Sequence, residues 1–231
     1  MSAGPAVSVI VPVLDEAAAV PAVLDHLAGL AGDFEVLVAD GGSRDATVAL
    51  ARAHRLAPRV VEARGGRAAQ LNAAAGVASG ALLCFLHADS RLPPGAIAAL
   101  SQALRDPGLL GGNFALRFDG ADRFSRLLTA WYALQRRLGV YYGDSTIWVR
   151  AAVFAALGGF RPLAIMDDYD LVRRLERRGR TAALPGPATS SSRRWRALGV
   201  PRTVFSWMAI RWLYLAGVPA DRLAALYRRI R

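Results

Sequence analysis

The first half of the chain alternates short apolar runs with stretches whose apolar residues recur at helical spacing. Val7–Val13 is β-branched and apolar on both faces, the pattern of a strand covered from two sides in a parallel sheet. Ala17–Leu30 then sets Val20, Val23, Leu24 and Leu27 on one side of a helix. Phe34–Ala39 is a second buried strand, ending in Asp40-Gly41-Gly42-Ser43, and a helix follows over about Asp45–His54. Arg59–Ala63 gives a third strand, Gly65-Gly66 breaks the chain before an alanine-rich helix over about Arg67–Ala78, and Ala81–Leu86 gives a fourth. Pro93-Pro94-Gly95 opens the next helix. Such alternation predicts an α/β chain with a mostly parallel central sheet flanked by helices.

Regularity fades after Pro107. Leu110–Phe118 is expected to be a strand entering an antiparallel or mixed region, followed by the amphipathic stretch Arg123–Leu138. Ala151–Leu157 and Asp167–Arg178 are expected helices, separated by Gly158-Gly159-Phe160. No internal repeat or long linker interrupts the chain.

Composition narrows the reading. The 231 residues are 54% apolar and 20% charged, so the chain can bury a full core and is not disordered. The net charge of +11 invites nucleic-acid binding, but all 29 basic residues are arginine. With alanine and glycine also abundant, this is a compositional bias, and no nucleic-acid partner is expected. Arginines still suit phosphates or an anionic membrane. Val204–Val218 is too short for a normal span and is broken by Arg211, yet with Arg222, Arg228, Arg229 and Arg231 downstream it suits an interfacial helix. The alternative is a core-packing helix followed by an amphipathic one over Pro219–Arg231. Cys84 is the single cysteine, which excludes an intrachain disulfide and a cysteine zinc site, and its apolar run predicts a buried thiol. The first residues carry no basic stretch, and Pro12 and Asp15-Glu16 break the apolar run. They do not read as a signal peptide, so a cytoplasmic location is expected.

Candidate chemistry gathers at strand ends. In open α/β sheets ligands bind beyond the carboxyl ends of the strands. Asp15-Glu16, Asp40 and His87-Ala88-Asp89 each follow a strand and so share one edge. Crowded carboxylates repel one another unless a cation or hydrogen-bond donors offset them. No G-x-G-x-x-G follows a strand, and no G-x-x-x-x-G-K-[ST] loop is present. Gly65-Gly66-Arg67, at a helix start, suits an anion such as a diphosphate.

Ser8–Glu16 (SVIVPVLDE), Ala39–Asp45 (ADGGSRD), Gly66–Gly80, Leu82–Ser90 (LLCFLHADS), Tyr142–Ser145 (YGDS), Gly158–Phe160 and Asp167–Leu175 (DDYDLVRRL) occur in the order seen in family 2 glycosyltransferases. The chain resembles that family, and especially its small bacterial branch described as radical-SAM/selenodomain-associated transferases. The resemblance implies a GT-A fold over about residues 1–200, with a nucleotide-binding half to about 106 and an acceptor half over about 107–200, then a helical segment over 201–231. It further implies a nucleotide-sugar donor, a UDP-sugar by default, a divalent cation (manganese or magnesium), and inversion at the anomeric carbon.

Roles transfer by position. Asp40 matches the acid that contacts the nucleotide base, Pro12 and Glu16 lie in the first nucleotide-contacting loop, and Arg67 sits near the diphosphate. His87-Ala88-Asp89 stands in place of the family's D-x-D, making Asp89 the implied metal ligand and His87 a donor contact. Asp168 matches the catalytic base of the E-D-x-D-L segment, with Asp167 in place of the glutamate that contacts the acceptor. Asp144 falls in the acceptor half. Arg193-Arg194-Trp195 ends like the Q-x-x-R-W of processive relatives but lacks the glutamine; it implies diphosphate binding by Arg194 and stacking of Trp195 on an acceptor sugar. Neighbouring helical residues point about 100° apart, so Asp167 and Asp168 are expected to face different ways. Two rivals use overlapping features: a nucleotidyltransferase, and a noncatalytic nucleotide- or nucleic-acid-binding protein.

Overall fold

The computed structural model describes residues 5–192, 195–196 and 199–230. Its strands are β1 (Val7–Val13), β2 (Phe34–Asp40), β3 (Arg59–Glu62), β4 (Leu82–Phe85), β5 (Leu109–Phe118), β6 (Ile147–Arg150) and β7 (Arg180–Ser190). The helices are α1 (Val20–Ala28), α2 (Thr47–Ala53), α3 (Arg67–Val77), α4 (Ala96–Leu104), α5 (Arg123–Arg137), α6 (Ala151–Ala156), α7 (Asp167–Arg178), α8 (Val200–Leu215) and α9 (Ala220–Ile230). The strands form one sheet in the order β3-β2-β1-β4-β6-β5-β7.

β1 pairs in parallel with β2 and β4, and β2 with β3. β6 is antiparallel to both β4 and β5, while β5 and β7 are parallel. One reversed strand therefore sits inside an otherwise parallel sheet, the mixed region that the sequence pattern places after Pro107. The two faces bury separate sets of side chains. Val9, Val11, Leu24, Leu27, Ile97 and Leu100 pack on one side; Ile10, Leu37, Leu71, Phe85, Phe154 and Leu171 pack on the other. Alternate residues of β1 feed opposite faces, as strand geometry requires. Cys84 lies fully buried in the first set, and burial pushes its thiol up to about 12.

Two strands escape the periodicity. β6 has only four residues. β7 carries Pro185-Gly186-Pro187, which reads as a loop; it survives because it is an edge strand, where prolines are tolerated, and because its register against β5 shifts between Phe114 and Leu116. No helix among the described residues is long and apolar enough to cross a membrane.

Candidate active site

The carboxyl ends of β1, β2 and β4 open onto one edge, with the start of α3 beside them. Asp40, the last residue of β2, is buried, and its carboxylate accepts hydrogen bonds from the Gly42 and Ser43 amides at 2.8 and 3.0 Å. It thus fixes the Gly41–Ser43 turn. That turn is tied to the end of β1: Asp15 accepts the Arg44 amide at 2.7 Å, Ser43 Oγ accepts the Asp15 amide at 2.9 Å, and Thr47 Oγ1 accepts the Glu16 amide at 2.8 Å. The buried Gln70 side chain donates to Val13 O and Ala39 O at 2.6 and 3.2 Å, joining the ends of the two strands. Arg44 and Arg64 line the shallow depression over this turn, beside Leu14 and Asp15.

A second recess lies across the sheet end, lined by Pro12, Arg67, Phe85, His87, Gly143 and Asp168. Gly66, with φ of 91°, takes a backbone conformation that favours glycine and starts α3 so that Arg67 leads it. Arg67 crosses to α7 and binds Asp167 through Nε (3.1 Å) and Nη2 (2.7 Å), with Asp168 Oδ2 at 3.6 Å. Its Nη1 lies 2.9 Å from His87 Nε2. Burial opposes the charge of Arg67, but Asp168 and Asp167 outweigh it and hold the guanidinium protonated.

Asp167 and Asp168 therefore converge on one arginine, against the expectation that they face apart. The cause is local. The broad guanidinium meets Asp167 through Nε and Nη2, and the same Nη2 lies 3.6 Å from Asp168 Oδ2, so one arginine spans two side chains that leave the helix in different directions. Asp168 also accepts the Gly143 amide at 2.8 Å and the Tyr169 amide at 2.8 Å. Burial pushes its carboxyl up, but Arg67, the Gly143 amide and His87 more than reverse that, so it stays below its usual range. Asp167 is raised, by burial and by the neighbouring Asp168 charge, against the pull of Arg67.

Gly143 opens a 3-10 turn over Gly143–Ser145. A Cβ there would meet His87 Nε2 at 2.9 Å and Asp168 Oδ2 at 3.1 Å, so only glycine lets these groups close around it. Thr146, which ends the turn, has φ of 55°, a conformation unfavourable for a β-branched residue. Met166, just before α7, has φ of 66°. Strained backbone thus borders the recess on two sides, as it often does at functional sites. Asp144 is half-buried in the turn beside Tyr132, whose hydroxyl is pushed well up by its own burial and then by the Asp144 charge. Tyr142 stacks on Tyr169 at 5.6 Å, and Tyr169 meets Tyr214 of α8 edge-on at 5.9 Å.

The sequence profile described as Glycosyl transferase family 2 matches residues 8–158. The chain belongs to glycosyl transferase family 2. An uncharacterised protein of Mycobacterium tuberculosis is 32% identical over 197 residues, covering 74% of this chain and 60% of that protein. A PGL/p-HBAD biosynthesis glycosyltransferase of Mycobacterium bovis is 40% identical over 96 residues, covering 39% of this chain and 38% of that enzyme. The chain thus spans less than two thirds of the length of these curated relatives. Among solved structures, the mannosyltransferase PcManGT of Pyrobaculum calidifontis, in complex with GDP-Man and Mn2+, has TM-score 0.65 at 24% identity, over 83% of this chain and 57% of that one. S. aureus TarS 1-349, in complex with UDP-GlcNAc, has TM-score 0.66 at 17% identity, over 97% and 70%. The fold is GT-A.

Within this family 2 chain, the residues expected at the donor side lie around one sheet edge: Pro12, Asp40, Arg67, His87 and Asp89. Asp89 is half-buried just past β4. Among the described residues no three His, Cys, Asp or Glu side chains gather to cage a metal. That donor set fits a magnesium or manganese ion held by one carboxylate and completed by substrate phosphates and water, the usual economy of such ions. It does not fit a metal held by protein alone.

Trp195 departs from expectation. It is 5% exposed, and its ring is enclosed edge-to-face by Phe118 at 4.9 Å, Phe124 at 5.5 Å and Trp207 at 6.1 Å. No open face remains for a sugar, so Trp195 is a core residue here, not an acceptor contact. Arg194 lies outside the described residues. Tyr132 was not picked out from sequence, because a tyrosine on an amphipathic helix reads as core, and Gly143 entered only as part of YGDS, with no role of its own.

Proposed function

We propose that this chain transfers a sugar from a nucleoside-diphosphate donor to an acceptor hydroxyl, with inversion. The observation that carries the reading is Asp168: a carboxylate held ionised in a recess, beside an arginine that leads a helix. In this reading Asp168 accepts the proton of the acceptor hydroxyl as its oxygen attacks the anomeric carbon. The bond from that carbon to the diphosphate oxygen breaks on the opposite face, and the nucleoside diphosphate leaves. Arg67 leaves its carboxylate partners for the donor's diphosphate, aided by the free amides at the start of α3. Asp89 holds the divalent cation, which when bound stabilises negative charge on the leaving phosphate oxygens.

Asp40 and the turn it organises, with Pro12 and Glu16, frame the nucleotide. His87 contacts the donor while holding Arg67. Asp144 and Asp167 serve the acceptor side. A UDP-sugar is the default donor, supported by the UDP-GlcNAc complex of TarS; the GDP-Man complex of PcManGT makes a guanosine donor the first competitor.

A panel of nucleotide sugars, read by thermal shift with and without manganese, tests the donor. Stabilisation by a UDP-sugar that needs manganese, and is lost in Asp89→Ala, is the expected result. Release of nucleoside diphosphate on turnover completes it. Release of pyrophosphate from a nucleoside triphosphate would instead make the chain a nucleotidyltransferase.

A further inference from the structure

Two helices present apolar stripes to solvent. On α5 these are Leu127 (68% exposed), Trp131 (52%) and Leu134, with Leu138 just beyond its end, spaced as one face of a helix. On α8 they are Phe205 (68%), Met208, Trp212 (66%) and Leu215, again on one face. The opposite side of α8 buries Thr203, Ser206 and Ile210. α8 therefore buries mostly small polar residues and leaves its bulky apolar side chains open, the reverse of an ordinary surface helix.

The stripes join. Phe124, at the start of α5, meets Trp195 just ahead of α8, and Gln135, near the end of α5, accepts a hydrogen bond from Arg211 of α8 at 2.6 Å. The two contacts pair start with start and end with end, so the helices run in the same direction and meet through side chains. Stepping about 100° per residue from these contacts, Trp131 and Leu138 on α5, and Met208 and Leu215 on α8, fall on the same side of the seam. Arg123, Arg126 and Arg137 are exposed along the flank of the α5 stripe, and Arg202 is exposed on α8. Neither helix contains Asp or Glu.

We propose that this joint face of α5 and α8 seats the protein on an anionic lipid bilayer. Exposed tryptophans beside arginines, with no acidic residue between them, complement an interface of acyl chains and negative headgroups. The 16 residues of α8 span about 24 Å, short of the roughly 30 Å hydrocarbon core, so the helix lies along the surface and does not cross it. The inward faces of the same helices carry Tyr132 and Tyr214, so the seated face backs directly onto the Asp144–Asp168 recess.

Flotation of the full chain tests the proposal, using vesicles of phosphatidylcholine alone and of phosphatidylcholine mixed with phosphatidylglycerol. Flotation with the mixed vesicles, weakened by high salt, is expected, and Trp131→Glu or Trp212→Glu should each reduce it by about tenfold or more. Because both indoles are exposed, melting temperature and donor-induced thermal shift should be unchanged, so the outcome is independent of the sugar-transfer reading. Quenching of intrinsic fluorescence by brominated lipid should fall in the Trp131→Ser, Trp212→Ser double variant. Absence of flotation, or equal flotation with neutral vesicles, overturns the proposal. So does a dimer in sedimentation velocity that either Glu variant disperses without any lipid binding, which would assign the face to a second copy.

Discussion

Arg67 and Asp167 are separated by 100 positions in sequence and meet through two hydrogen bonds, of 3.1 and 2.7 Å. The start of one helix thereby holds the start of another across the sheet end, and the guanidinium keeps the adjacent Asp168 ionised. Arg67→Gln should lower stability by about 1–3 kcal/mol, because Asp167 is left buried without its partner. The carboxyl of Asp168 should rise toward the ordinary range, moving the acid limb of the kcat/KM profile to higher pH. An unmoved acid limb in the variant would show that another group sets it.

Asp168→Asn keeps the shape of the side chain but removes the proton acceptor. Sugar transfer should fall about 10²–10⁴-fold, with donor and metal binding nearly unchanged. Asp167→Asn should act mainly on KM for the acceptor, whose side it serves. If Asp168→Asn transfers normally and Asp167→Asn is inactive, the base is the other neighbour.

Away from the site, His26 of α1 accepts the Leu92 amide through Nε2 at 3.0 Å. Burial and the nearby Arg91 charge lower its pKa below 6.5. The folded state thus favours the neutral ring: this contribution is fully present above the unfolded value, and is lost as pH falls through the lowered one. His26→Gln can still accept the amide but does not titrate. Urea midpoints between about pH 7 and pH 5 should therefore drop further in the native protein than in the variant. Parallel curves would mean that His26 does not contribute.

Gln70 is buried and ties the ends of β1 and β2 through Val13 O and Ala39 O. Gln70→Leu should cost about 1–3 kcal/mol, since two buried side-chain hydrogen bonds are lost, although Val13 O keeps the Gly41 amide at 2.9 Å. Because it leaves the turn at Asp40 less firmly placed, donor affinity should weaken alongside. A calorimetric melt and a nucleotide titration on the same sample check both effects.

The β/α units were legible because each strand has a mainly apolar, β-branched centre bounded by polar turns and the helices between them carry apolar stripes; β1 and α7 begin and end where the pattern places them. β6 was not, being four residues long and adjacent to a 3-10 turn. The strand-end acids of the site could be read from position alone. What could not be read was the meeting of residues from distant segments: Asp167 with Arg67, Gly143 with His87 and Asp168, Tyr132 with Asp144. Those contacts join segments far apart in the chain, and a periodic pattern carries no signal for which distant segments meet. Trp195 misled for a related reason: an aromatic beside arginines looks like a sugar platform until Phe118, Phe124 and Trp207 enclose it.

The kinked outer strand has a further effect. Pro185 and Pro187 offer no backbone N–H, and Thr189 exchanges both of its backbone hydrogen bonds with Arg91 at 2.8 Å. An incoming strand would find two absent donors, one occupied residue and a broken register along β7. The long margin of the sheet is thereby closed to strand addition, the route by which exposed sheet edges recruit other chains and aggregate. What remains for strand addition is the opposite edge, β3, which is only four residues long, so a crowded cell meets a poor template at either margin of the sheet.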